Sequence, residues 1–255
     1  MFKTFKKYQY LLYELVKKDI KLKYRNSYLG VIWTLLEPLL TMLVLVAVFS
    51  RLLGKTTTDY AVYVLSGRLI YSFFSNGTKA GLKSVRSHAA MIKKVYVPKY
   101  MYTLSCVSSG YIMFLISLIV LVAVALVRGV YPNVYTLLAV IPLATVYVMT
   151  LGLGLILATL DVFFRDFEYL WGIALMLIMY MSGIFYEVAD VASEKTIWLF
   201  KLNPLYAVIE NFRNAVFGVA PNMEATWFSL GFSGVVLLIG LFVFYRKQDD
   251  FILHL

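Results

Sequence analysis

Long runs of apolar residues alternate along this chain with short clusters of lysine and arginine. Runs almost free of charge occupy 28–50, 60–78, 102–127, 134–160, 169–185 and 227–245. A helix needs about 20 residues to cross the hydrocarbon core of a bilayer. The pattern therefore predicts an all-α integral membrane fold with six transmembrane helices, the shortest run (169–185) borrowing from its flanks. Pro38 and Pro142 fall inside spans, where neighbouring helices satisfy the carbonyls that proline frees. Gly152, Gly154 and the pair Ser105/Ser109 are small enough for close helix approach.

Three segments carry helical patterning without crossing. In 1–27, Phe5, Tyr8, Leu12, Leu15 and Val16 form one stripe and Lys6, Lys7, Gln9, Lys17 and Lys18 lie opposite, which predicts an amphipathic helix in the membrane interface. The segment 79–101 reads as helical through Leu82, Val85 and Ile92 and stops at Val97-Pro98. In 186–226, Asn203 is placed to cap a helix with Pro204 at its first position and Gly218 just past its end. Leu205, Val208, Ile209, Phe212, Ala215 and Val216 make the apolar stripe of that helix, and Glu210, Asn211, Arg213 and Asn214 its polar face. It is too short to span, so a re-entrant hairpin or an interfacial helix is expected, with the polar face toward a water-filled exit.

Composition agrees with the pattern: 61% of the 255 residues are apolar and the mean hydropathy is +0.78. The net charge of +10 would suggest nucleic acid in a soluble protein. Here the cations border apolar runs, so lipid headgroups are the expected partner and nucleic acid is not. Most of the 24 Lys and Arg fall in the N-terminal segment, in 79–99, at Arg165 and at Arg246/Lys247. The positive-inside rule puts all four in the cytoplasm, with both termini inside and an even number of spans. No short apolar core with a small-residue cleavage site stands at the N-terminus, so the first span is expected to be retained. From Tyr60 to Leu160 there is no Asp or Glu. The six cations of 79–99 thus lack partners in their own stretch and suit an acidic partner surface, anionic headgroups, or topology alone.

Little in the chain resembles catalysis. Cys106 is the single cysteine, and His88 and His254 have no partner cluster, so no metal site and no catalytic group is expected. Glu37 and Arg68 are the charges within the spans, as a structural ion pair or as substrate contacts. Gly54-Lys55-Thr56 imitates the tail of a phosphate-binding loop, but Phe49 stands where that loop needs glycine. Asn76-Gly77-Thr78, a formal glycosylation sequon, sits at the inner end of a span. If transport is powered, a separate subunit powers it.

Several motifs in order resemble one family. They are Asp19-Ile20-Lys21-Leu22-Lys23-Tyr24, then Tyr28-Leu29-Gly30-Val31-Ile32-Trp33 leading to Glu37-Pro38, Val97-Pro98 before the third span, Phe164-Arg165-Asp166, and Asn203-Pro204-Leu205-Tyr206 with Arg213. Together they resemble the permease subunit of ABC exporters for lipid-linked polysaccharides of the O-antigen and teichoic-acid type. Ser182–Glu187 departs from the family, which usually has prolines flanking the aromatic pair there.

The resemblance implies a homodimer in a bacterial cytoplasmic membrane. It implies two copies of an ATP-binding subunit that holds ATP and Mg, no cofactor in this chain, and a polyprenyl-linked polysaccharide as substrate. It places the ATPase and the substrate pyrophosphate near the N-terminal helix and the loop around Lys83–Lys94, with Leu82, Val85 and Ile92 assigned to coupling and Arg86, Lys93 and Lys94 to the headgroup. Tyr71, Phe73, Phe74, Tyr111, Phe114, Tyr180 and Phe185 offer rings for sugar stacking or, alternatively, for lipid contact. Asn203, Pro204, Glu210 and Arg213 belong to the exit hairpin. An exporter of the same fold for a drug, peptide or other lipid is the alternative.

Overall fold

The computed structural model describes all residues except 1, 26, 53–58, 95–96, 189–192, 194–195 and 255. Gly54-Lys55-Thr56 and Lys195 lie outside the described residues. The chain runs as α1 (Phe2–Tyr24), α2 (Trp33–Leu52), α3 (Tyr60–Ser87), α4 (Ala89–Ile92), α5 (Tyr100–Val127), α6 (Val140–Phe163), α7 (Phe167–Tyr180), α8 (Ile197–Lys201), α9 (Pro204–Phe217), α10 (Met223–Lys247) and α11 (Phe251–His254). A 3-10 turn, Val134–Ala139, leads into α6 and is closed by a capping box between Asn133 and Thr136.

Among the described residues, four helical stretches are long and apolar enough to cross a membrane: Gly30–Phe49, Tyr100–Val127, Val134–Phe163 and Met223–Lys247. Two of the six expected spans differ. α3 is 28 residues long, but Ser66, Arg68, Ser72, Ser75, Asn76 and Thr78 dilute its hydropathy. α7 is apolar after Glu168 but only 14 residues, about 21 Å. Outward faces of the long helices carry Ile119, Val122, Leu238 and Phe242, exposed as lipid-facing side chains are.

α3 is the central pillar, with most of its side chains buried against α5 and α6. Its crossing with α6 is backbone on backbone: a Cβ at Gly81 would stand 2.8 Å from Gly154 Cα. α6 meets α10 in the same way, since a Cβ at Gly152 would lie 2.7 Å from Leu237 N. The close approach expected of Gly152 and Gly154 is what the structure has.

The large core fills the middle of the bundle and the end at Tyr60, Ile184 and Phe212, called here the far end. A second core closes the other, basic end with Leu15, Val85, Ile92, Tyr102, Leu155, Ala158, Val162, Phe244 and Phe251. α1 reaches it through Leu15, with Leu12 and Val16 half-buried, so the amphipathic stripe faces protein along α5. Residues 79–101 do not form a separate helical loop: α3 carries the chain through Ser87, and His88 breaks it before α4.

Candidate functional site

At the basic end, the acid-free stretch finds its partners in the last turn of α6 and the first turn of α7. Arg86 Nη2 donates to Glu168 Oε2 at 2.6 Å, and its Nε lies 3.4 Å from the buried Asp161 Oδ2. Lys83 Nζ approaches Glu168 Oε1 at 2.5 Å. Hydrogen bonds from Lys83 and Arg86 hold the Glu168 carboxyl below the usual range. Lys93 and Lys94 stay exposed in the turn after α4. Arg86, Lys93 and Lys94 therefore do not share one helix, and only the two lysines are open to a headgroup. Leu82, Val85 and Ile92 are buried, at 1%, 0% and 8% exposure. Any influence they have on a docked subunit would therefore pass through the protein interior, Val85 and Ile92 through the second core.

The aromatic set also turns inward. Phe73 stacks on Phe114 with centroids 5.1 Å apart, and Tyr111 lies 5.3 Å from Phe73 and 4.8 Å from Tyr147. Phe74 tilts toward Trp171, Phe185 stacks on Phe49, and the Tyr71 hydroxyl donates to Leu175 O at 2.9 Å. All are core residues except half-buried Tyr111 and exposed Tyr180. Within one chain they build the bundle and do not line an open channel.

At the far end α9 has the expected bounds. Asn203 Oδ1 accepts from Leu205 N, Pro204 opens the helix, and Gly218 closes it at φ +72°. The Asn203 amide also donates to Met181 O and Ser182 Oγ, tying α9 to the end of α7. The polar face is split, contrary to expectation. Arg213 is buried and donates to Tyr63 O, Gly183 O and Ile184 O at 3.2, 2.9 and 3.1 Å, with Tyr63's ring 3.5 Å from its Cζ. Burial lowers its pKa to about 10, which leaves it charged at neutral pH. Gly67 makes room, because a Cβ there would sit 2.5 Å from Nη2. Asn211 is buried as well, its Oδ1 accepting from Asn222 N. Glu210 and Asn214 of that face, with Asp59, Glu187 and Tyr206, line a far-end cavity of about 600 Å³, and the buried Arg213 forms part of its wall. Burial raises the Glu210 carboxyl.

The sequence offered Glu37 and Arg68 as an ion pair or as substrate contacts; the structure brings them to one groove. Two adjoining cavities, of about 100 and 430 Å³, form one groove between α1, α2, α3 and α5. Glu37 and Arg68 line the first, Asp19 and Cys106 the second, and Lys23, Glu37 and Asn76 belong to both. The two do not pair: among the described residues neither side chain makes an ion pair, and the Arg68 guanidinium lies 5.8 Å from Tyr71's ring. Tyr24 Oη lies 2.8 Å from Thr34 Oγ1, fixing the end of α1 to the start of α2. Asp19, its carboxyl raised by burial, was visible in the sequence only as part of a motif. What marks it is its place on the buried side of an amphipathic helix. A groove of mixed charge beside membrane-crossing helices suits passage of a polar chain; among the described residues no group of His, Cys, Asp and Glu could hold a metal ion.

Along most of its length the chain is similar to known transport proteins. A family model described as ABC-2 type transporter matches residues 10–217. An O-antigen export system permease protein of Klebsiella pneumoniae is 30% identical over 244 residues, covering 94% of this chain and 93% of that one. Its counterpart in Myxococcus xanthus is 26% identical, covering 96% and 95%. A polysialic acid transport protein of Escherichia coli is 22% identical, covering 91% of each.

Proposed function

This chain belongs to the ABC-2 type transporter family, and on that premise we propose that it is the permease subunit of an ATP-driven exporter of a lipid-linked cell-surface polysaccharide. The observation that carries the reading is the pairing of whole-length likeness to export permeases with one polar groove at Glu37 and Arg68. The family works with an ATP-binding subunit, and this subunit would bind ATP and Mg. Two copies of the permease would make the conduit, since the aromatic residues of a single chain are spent on its own core. α3 and α7 would complete six crossings, α3 sheltering its polar face inside the bundle and α7 extending through 181–185. The basic end would face the cytoplasm of a bacterial inner membrane, because Lys93, Lys94, Arg246 and Lys247 are exposed there.

The test is genetic and chemical together. Deleting the gene should remove a surface glycan and leave its lipid-linked form inside the cell. Reintroducing the chain should restore export, whereas an Arg68→Leu/Glu37→Leu double variant should restore little. Normal surface glycan in the deletion strain would end this reading.

A further inference from the structure

The charges of the groove cancel. Lys23 and Arg68 supply two cations, Asp19 and Glu37 two carboxylates, and Asn76 an amide. A phosphate or pyrophosphate placed among them would gain from the cations and lose comparably to the carboxylates. A sugar ring presents hydroxyls that both donate and accept, which is what alternating cations and carboxylates satisfy. Asp19 Oδ2 is buried without a hydrogen-bond partner, an acceptor that lacks a donor, in the wall of the same groove.

From this we infer that the groove binds an uncharged sugar segment of the exported chain, and not the phosphate of its lipid carrier. The inference rests on the transport reading and specifies the ligand of one site within it. The Tyr24–Thr34 bond holds the end of α1 beside the segment, so the interface helix forms one wall of the site.

A cysteine at position 109, introduced as Ser109→Cys in a Cys106→Ser background, reports occupancy from the groove wall. This chain is first checked for export in the deletion strain, then purified with its ATP-binding partner. Maltohexaose at about four times its Kd should slow thiol labelling roughly fivefold. Inorganic pyrophosphate should leave the rate unchanged. Adding Glu37→Gln and Arg68→Gln should abolish the saccharide protection, while labelling of Tyr180→Cys, made in the same Cys106→Ser background, stays constant. Protection by pyrophosphate equal to or above that by maltohexaose would overturn the inference. So would absent saccharide protection in a chain that exports glycan. If the native chain itself supports no glycan export, it is the transport reading that falls.

Discussion

Arg213 shows how a residue suited by its charge to one role is used for another. Three main-chain carbonyls and a tyrosine face surround its guanidinium, and they come from α3 and from the residues just beyond α7. Lysine offers a point charge in place of a planar fork and cannot hold all three. Arg213→Lys should lower stability by about 3 kcal/mol, read as a lower Tm of the purified protein, because a buried charge is left poorly paired. Glu168 is the opposite case, an acid at the surface. Its carboxyl is depressed below the ordinary 4.5, so its contribution is present at neutral pH and lost as pH falls through that lower value. The Tm gap between the native chain and Glu168→Gln should therefore hold steady near neutrality and close in acid.

Elements were more legible than their partners. α9 could be read to its ends because its signals are local: an asparagine cap, a first-position proline and a terminal glycine. The apolar patterns of α1 and of 79–101 were equally plain, but a pattern shows that a face is buried and not what buries it. In both cases the cover is the chain's own second core. Val85→Asp should thus lower stability by on the order of 3 kcal/mol or more in the isolated chain, with no ATP-binding subunit present. If Val85→Asp melts like the native chain and only uncouples hydrolysis, Val85 acts on the partner directly and not through this core. Nor could sequence foresee that Arg86 pairs with Glu168, or that Glu37 and Arg68 face one groove without pairing. Register between distant helices decides them, and charge counting within one segment cannot supply it.

On the scale of the whole molecule, the proposed orientation rests on where exposed cations gather. Lys94→Cys in a Cys106→Ser chain should react with a membrane-impermeant thiol reagent only after the cells are opened. Val219→Cys, exposed at the far end, should react in intact cells. Reversed labelling would invert the assignment of both ends.

The glycine crossings bear on movement. α6 touches α3 through Gly81 and Gly154, and α10 through Gly152 and Gly240, with main chain against main chain at both places. Side chains can slide and repack; two backbones in contact have almost no slack, and interiors this dense shift between discrete arrangements. α3, α6 and α10 consequently behave as one stiff slab. α7 is fastened to it largely by single bonds, such as Tyr71 to Leu175 and Trp171 to Thr78. Any opening of a passage would then swing the light helices away from this slab.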